Sequence, residues 1–422
     1  MAVELTLEPD DDITVCNQHL LYELFDSVST PDRYIVEVYE APDIFAGDGT
    51  SIAKIYITPN AVNRGVFDLS DIVGNRLLPA ETISYQGNEK FAHDLGVLEA
   101  PTSTSKSVRK YTVKAGALNG STETFPNNAD ANAVVFLMGG AFQIADGRHP
   151  SFAEFYTDAL ANTAKAWLTN MPNNSQVIEK YMADEDQGRA QIMQHTLMGV
   201  TSYLNQIRYN LYRPATNTVL ATKTITITTQ ISYPAAVRYV PMGPANLANF
   251  FGTDWNDGWG RVELTPLSAG ATQLGAKLII YRDCRPIKHE PVQLAWANTV
   301  GGWDMLRFDA RAPKTIQKNE KRYRKDPLDW QSVGPNWNTW DRGTTTFQNE
   351  GKIRFTLNHE QFTADERALL EYCMRSKRVY YRYGTNEWAP CVVDTNSLVI
   401  EPAGSRMYRV SLTIEDANPV RC

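Results

Sequence analysis

Tyr34-Ile35-Val36-Glu37-Val38-Tyr39 and, beyond the pair Asp48-Gly49, Ser51-Ile52-Ala53-Lys54-Ile55-Tyr56-Ile57-Thr58 set the fold class. Both stretches are rich in β-branched and aromatic side chains, which fit the pleated, half-buried surface of a strand. Asp-Gly between them supplies turn chemistry, so the segment predicts an antiparallel hairpin. The rest of the first hundred residues continues in short period-two stretches, the pattern of a sheet with one wet face.

Working outward, Val66-Phe67-Asp68-Leu69 leads to a short helix near 70–76. The Ser70 hydroxyl is expected to accept from an unpaired first-turn amide, and Pro79 to stop the helix. Ser107 to Lys114 and Ala133 to Phe142 add strands, and Phe152, Phe155, Ala159, Leu160 and Ala164 follow helical spacing within a second helix near 150–167. Leu197 to Tyr212 and Val219 to Tyr233 return to strand character, with Ile225, Ile227, Thr229 and Ile231 on one parity. A soft boundary near Pro234 to Pro244 divides the chain into lobes 1–235 and 236–422.

The second lobe repeats the style in Lys277 to Tyr281, Val292 to Trp296 and Met305 to Phe308. Thr363-Ala364-Asp365-Glu366 is a capping box ahead of a helix near 364–375, in which Leu369, Leu370 and Cys373 form the apolar side and Arg375 suits the carbonyl end. Arg378 to Tyr383, Trp388 to Asp394 and Arg406 to Glu415 complete a terminal sheet, the last alternating Tyr408, Val410, Leu412 and Ile414. The expected architecture is mainly β, two β-sandwich-like lobes with a few short α-helices.

A chain of 422 residues with 43% hydrophobic and 21% charged side chains, 26 Gly and 22 Pro falls outside the collagen-like, disordered and low-complexity classes. Its longest uncharged apolar stretch, Ala133 to Phe142, is well short of the ~18 residues of a membrane-spanning helix, and the acidic amino terminus lacks a signal peptide's basic start. Neither membrane insertion nor export is expected. Cys16, Cys284, Cys373, Cys391 and Cys422 are odd in number and scattered, which supports neither a disulfide framework nor a CxxC zinc site. The net charge of −7 hides a division: residues 1–259 carry 17 basic and 29 acidic side chains, residues 260–422 carry 24 and 19. An acidic and a basic part favour head-to-tail contact between copies, although two independently solvated surfaces fit as well.

Catalytic signatures are missing. His19, His93, His149, His195, His289 and His359 form no HExxH or HxxxH pair, and there is no GxSxG elbow or GxGxxG turn between strand and helix. Gly270-Ala271-Thr272-Gln273-Leu274-Gly275 has phosphate-loop glycine spacing, but Ala276 and Lys277 stand where Lys and Ser/Thr belong, so it reads as a turn before a strand. Asp10-Asp11-Asp12, Asp184-Glu185-Asp186 and Asp254-Trp255-Asn256-Asp257-Gly258 lack the pattern of a calcium loop. No catalytic residue, metal or cofactor is assigned, and a non-enzymatic role is expected.

Two features point to binding. Lys314, Lys318, Lys321, Arg322, Arg324 and Lys325 meet a single acid, Glu320, just before Trp330, Trp337 and Trp340. Arg and Trp interleaved with excess acid elsewhere suit a protein interface, ahead of a solvated loop and of DNA. Lys318, Lys321, Arg322, Arg324 and Lys325, with Trp330 and Trp337, are the interface candidates. Nine Trp, 20 Tyr and 15 Phe supply rigid aromatic area, and Trp255, Trp259 or Trp340 would stack on sugar rings in a glycan-binding module.

Several stretches resemble a group of virion structural proteins of crAss-like and related tailed bacteriophages of Bacteroidetes. They are Gly65 to Val73, Tyr111-Thr112-Val113-Lys114-Ala115-Gly116, Trp167-Leu168-Thr169-Asn170-Met171-Pro172 and, most of all, Val292 to Asn298 followed by Gly301-Gly302-Trp303-Asp304-Met305-Leu306-Arg307-Phe308. Val379-Tyr380 and Ile414-Glu415-Asp416-Ala417-Asn418 also fit. The resemblance implies assembly rather than turnover: a neck, tail-ring or baseplate subunit whose partners are copies of itself and other virion proteins, likened to a homo-oligomeric ring. Its expected location is the virion, assembled in the bacterial cytoplasm, with DNA contact less favoured and no membrane. A glycan-binding tail module is the alternative. A hydrolase with dispersed carboxylates, about 5 to 9.5 Å apart, is the second.

Overall fold

The computed structural model describes residues 3–8, 13–16, 19–41, 49–77, 108–125, 134–137, 165–174, 176–193, 204–214, 216–227, 237–256, 258–284, 289–324, 328–329, 336–337, 344–384, 388–394, 408–417 and 420–421. Strands β1 (Val3–Leu7), β2 (Ile13–Val15), β3 (Leu21–Asp26), β4 (Arg33–Ala41), β5 (Thr50–Ile57) and β6 (Arg64–Asp68) lead into α1 (Ser70–Arg76). Then come β7 (Val108–Asn119), β8 (Thr122–Thr124), β9 (Val134–Leu137), β10 (Val177–Met182), β11 (Arg189–Met193), β12 (Gln206–Tyr212), β13 (Val219–Thr226) and β14 (Val237–Pro241). Helices α2 (Pro244–Phe251) and α3 (Thr253–Asn256) precede β15 (Arg261–Leu267), β16 (Lys277–Arg282), β17 (Val292–Ala297) and β18 (Trp303–Phe308). β19 (Lys314–Arg324), β20 (Leu328–Asp329), β21 (Asn336–Trp337), β22 (Thr344–Phe362), α4 (Ala364–Arg375), β23 (Val379–Tyr383), β24 (Ala389–Val393), β25 (Tyr408–Asp416) and β26 (Val420–Arg421) complete the order. The protein is mainly β, with β-sandwich-like lobes and short helices.

Two compact units share the chain. The first comprises Met1–Pro286, Ala295–Leu306 and Asp365–Lys377; the second comprises Ile287–Leu294, Arg307–Ala364 and Arg378–Cys422. The first unit contains sheets of order β1-β3-β6, β2-β9-β7-β4-β5 with β8 beside β7, β10-β16-β15-β12-β13, and β11-β14. The opening hairpin forms as its composition predicts: β4 pairs antiparallel with β5 from Tyr34↔Ile57 to Glu40↔Thr50, with a bulge at Val38/Tyr39. Tyr34, Ile35, Val36 and Val38 are buried. Gly49, just before β5, has φ +78°, and a Cβ there would lie 2.2 Å from the Glu40 carbonyl oxygen, so this position requires glycine.

Helix α1 occupies the predicted residues but starts differently. Its N-cap is Leu69, without a side-chain cap bond. The Asp68 carboxylate instead accepts from the backbone amides of Ser70 and Leu20, each at 2.9 Å. Burial pushes the Asp68 carboxyl up, but hydrogen bonds from His19 and Ser70 outweigh it and hold the group below the usual carboxylate range. Pro79 lies outside the described residues. So does most of the expected 150–167 helix, and its last residues are not helical: Ala166 has φ +62° and Trp167 bridges Ile192.

The lobe boundary expected near residue 235 also lies outside the described residues. Strands from both sides of it share a sheet, since β12 pairs antiparallel with β15 and β10 runs parallel to β16. These pairings are long-range, which local patterning does not encode.

Two stretches that carry the phage resemblance come together inside the first unit. At the turn between β17 and β18, Gly301 has φ +86°, and a Cβ on Gly302 would lie 2.0 Å from the Leu168 carbonyl oxygen. Asp304, fully buried, accepts from the Thr169 hydroxyl and, at 2.9 Å, from the Asn170 amide. It also accepts from Asn298 Nδ2 at 3.1 Å and lies 3.6 Å from Lys180 Nζ on β10. Asn298 Nδ2 donates to the Leu168 carbonyl at 2.8 Å, and the Trp303 amide donates to Gln191 Oε1 at 2.9 Å. A buried charge is tolerated only when paired and hydrogen-bonded, and Asp304 meets that condition.

In the second unit the succession β23-β24-β25-β22-β19 runs through one sheet, with β26 beside β22. Phe355, Leu357, Val410, Leu412 and Ile414 are buried where β22 pairs antiparallel with β25, as the alternation in the terminal strand predicts. Helix α4, which belongs to the first unit from Asp365 on, covers the predicted residues and buries Leu369, Leu370 and Cys373.

Candidate interaction surface

The basic run expected as a patch or loop is a strand. β19 pairs antiparallel with β22 from Lys314↔Phe355 to Arg324↔Thr344, so the pair forms a ribbon. At the usual strand rise its 11 residues extend about 35 Å. Lys314, Thr315, Ile316, Gln317 and Lys318 are exposed in succession, as are Lys321, Arg322, Tyr323 and Arg324. Successive residues point to opposite faces, so β19 is wet on both faces. Ile316 is 72% and Tyr323 47% exposed, large apolar surfaces that the ribbon leaves uncovered.

Strand parity sorts the charges. Lys314, Ile316, Lys318, Glu320, Arg322 and Arg324 fall on one face; Lys321 and Tyr323 fall on the other. A register shift between Lys321 and Arg322 is taken up by one extra residue of β22, which leaves the alternation along β19 intact. Glu320 is paired with Lys318 and Arg322, the latter donating through Nε at 2.6 Å. Lys314 Nζ lies 5.8 Å from the centroid of the Phe355 ring. Among the described residues neither Arg324 nor Lys321 has a carboxylate partner. The first face therefore carries four cations against one carboxylate.

The face shared with Lys321 is balanced nearer the strand's start. Lys352 and Arg354, opposite Gln317 and Thr315, both pair with Glu415, and Arg354 also meets Asp394 at 3.1 Å. The Lys352 hydrogen bond, opposed by burial and joined by Arg354, holds the Glu415 carboxyl below its usual range.

Of the sequence candidates, Lys318, Arg322 and Arg324 share one face and Lys321 occupies the opposite one. Lys325 and Trp330 lie outside the described residues. Trp337 is in β21, opposite Leu328. Sequence reading missed the partner strand β22, because Thr344 to Gly351 has no apolar alternation to betray it.

The aromatic alternative has a different geometry. Trp259 is buried, and its indole N–H donates to Asp184 Oδ1 at 2.8 Å. Trp255 stacks on Trp259 at 4.7 Å and on Phe251 at 6.0 Å between ring centroids, so its neighbours are protein rings. Trp340 lies outside the described residues. Asp184 also pairs with Arg282 at 2.5 Å, while Asp186 Oδ2 accepts from the Ala183 amide. His19 and His359 each bond a carboxylate, of Asp68 and Asp309. Among the described residues no three His, Cys, Asp or Glu side chains are grouped as metal ligands would be.

No family model matches the chain, and no curated protein matches it. Among solved structures, trypsin-activated α2-macroglobulin from Escherichia coli aligns with 97% of this chain and 23% of its own length, at 9% identity and a TM-score of 0.23. The chain thus spans less than a quarter of that protein. A marsupial T cell receptor aligns with 100% of this chain and 99% of its own, at 9% identity and a TM-score of 0.19.

Proposed function

We propose that this chain is a non-enzymatic structural subunit of a tailed-phage virion, forming or joining a ring in the neck, tail or baseplate. The observation that carries the reading is the β19–β22 ribbon, whose exposed strand residues are wet on both faces. β19 is an edge strand exposed on both faces, and an exposed edge is a place for a neighbour to cover. The face bearing Lys318, Arg322 and Arg324 suits a neighbour with surplus carboxylates. The excess of acid over base in residues 1–259 makes another copy of this chain a partner of the right sign. Such a contact is heterologous, and heterologous contacts close into rings when the rotation permits. Resemblance of the Val292 to Phe308 region to phage virion proteins adds the setting.

Charge reversal of the ribbon face, K318E/R322E/R324E, tests this. The variant is expected to fold with unchanged melting but to be left out of assembled particles. Incorporation at the level of the parent chain overturns the assignment, and selective loss of DNA binding with normal assembly redirects it to nucleic acid.

A further inference from the structure

The five-stranded sheet of the first unit has one face in the core, where Ile207, Tyr209, Leu211, Val262, Leu264 and Ile280 are buried. Its other face is not a featureless solvated surface. Register places Tyr212, Arg261, Tyr281 and Tyr181 in one row across β12, β15, β16 and β10. The adjacent row contains Asn210, Glu263, Ile279 and Glu179, and beyond it Arg208 lies opposite Thr265. Cross-strand partners share a face: Glu263, Ile279 and Thr265 are buried in it, while Tyr181 and Glu179 are exposed and Asn210, Tyr212, Arg261 and Tyr281 partly so.

The groups are held in place. Tyr212 donates its hydroxyl to Glu263 Oε2 at 3.1 Å, and Arg261 Nε donates to Glu263 Oε1 at 3.2 Å while its guanidinium lies 4.1 Å from the Tyr212 ring centroid. Lys277 Nζ is 3.7 Å from Glu263. Tyr281 donates to Glu179 Oε1 at 3.0 Å and stacks on Tyr181 at 5.4 Å. Tyr181, on the edge strand, is 50% exposed, which leaves ring surface open. Burial first, and then the charges of Glu179 or Glu263, push the hydroxyls of Tyr181, Tyr212 and Tyr281 up from their ordinary value, so they remain protonated.

Two buried polar atoms lie beneath this face. Arg208 Nε and Thr265 Oγ1, neighbours across β12 and β15, are both buried without a hydrogen-bond partner among the described residues, and Thr265 is only 1% exposed. Covered by protein, they carry the cost of an unmade hydrogen bond within the fold and are out of a ligand's reach.

The chemistry of the face narrows the ligand. Arg208, Arg261 and Lys277 are interleaved with Glu179 and Glu263, three cations to two carboxylates, so an anion would meet carboxylates and a cation would meet guanidinium. An apolar peptide would strand the polar groups. Pyranose rings instead offer an apolar C–H face for an aromatic ring and hydroxyls that both donate and accept. Both oxygens of Glu263 are engaged, which suits holding a sugar better than protonating a glycosidic bond. We propose that this face binds a neutral oligosaccharide, with Tyr181 as stacking platform and Glu179, Asn210 and Arg261 as its hydrogen-bonding groups. The inference is independent of the assembly role of the ribbon.

Calorimetric titration of the full chain with cellohexaose, xylohexaose, mannohexaose and maltohexaose, beside a heparin hexasaccharide, tests it. At least one neutral hexasaccharide is expected to bind, and Tyr181→Ala and Glu179→Gln, both at exposed positions, to weaken it by about tenfold or more at unchanged melting. K318E/R322E/R324E should bind as the parent does. Silence across all four neutral sugars, preference for the sulfated one, or binding that survives both substitutions overturns the proposal.

Discussion

Asp304 in the first unit and Glu320 in the second are both carboxylates ringed by donors, yet their surroundings differ in the one respect that decides their worth. Asp304 is fully buried and is met by Thr169, Asn170, Asn298 and Lys180. Glu320 sits on the ribbon between Lys318 and Arg322, whose side chains are 55% and 62% exposed. Water competes for the partners of Glu320 and has no access to those of Asp304. The first arrangement is a fold determinant; the second is a charge pattern available to a neighbour.

The comparison is broken most severely at Asp304. Asp304→Ala leaves Lys180 and several donors buried without their acceptor and is expected to destabilise the chain by about 3–5 kcal/mol, read by denaturant unfolding. A loss below about 1 kcal/mol would mean that water reaches the site. Gly302→Ala drives a Cβ against the Leu168 carbonyl in the same network, and roughly 1–3 kcal/mol should be lost, with Gly270→Ala a weaker control because a Cβ there meets nothing nearer than the Ser268 hydroxyl at 3.8 Å.

Glu415 sharpens the contrast through pH. Its folded-state value lies below the ordinary 4.5, so its pairing contributes stability above that value, and the contribution disappears as pH falls through the lowered one. Glu415→Gln should therefore lower the melting temperature near neutral pH and converge with the parent chain in strong acid. Parallel melting curves at every pH would show that Lys352 and Arg354 gain nothing from the carboxylate. The smallest effect on stability belongs to the ribbon: K318E/R322E/R324E should stay within about 0.5 kcal/mol of the parent, as exposed substitutions do, while its assembly is lost.

Much of the fold is legible in the chain because local patterns write it. The 34–57 hairpin, α1, α4 and the alternating Val410, Leu412 and Ile414 are set by turn chemistry, spacing and parity. The ribbon is not legible, because a strand wet on both faces has no apolar period, and its basic residues read equally as a loop. Lys321 and Arg322 look like one patch in sequence, while strand parity puts them on opposite faces. The polar face of the five-stranded sheet was missed for another reason. Arg261-Val262-Glu263-Leu264 alternates clearly, but β10 and β16 pair across about a hundred residues, and such long-range register leaves no local trace. Trp255 and Trp259 attracted a binding role by their chemistry; Trp259 is buried, and Trp255 stacks on it while staying partly exposed.

Electron cryo-microscopy of the assembled particle tests the central claim most directly. The account predicts β19 and the start of β22 seated against an adjacent subunit, with Lys318, Arg322 and Arg324 facing its carboxylates. A particle that contains the chain but leaves this ribbon bare in solvent, or one that does not contain the chain at all, contradicts it.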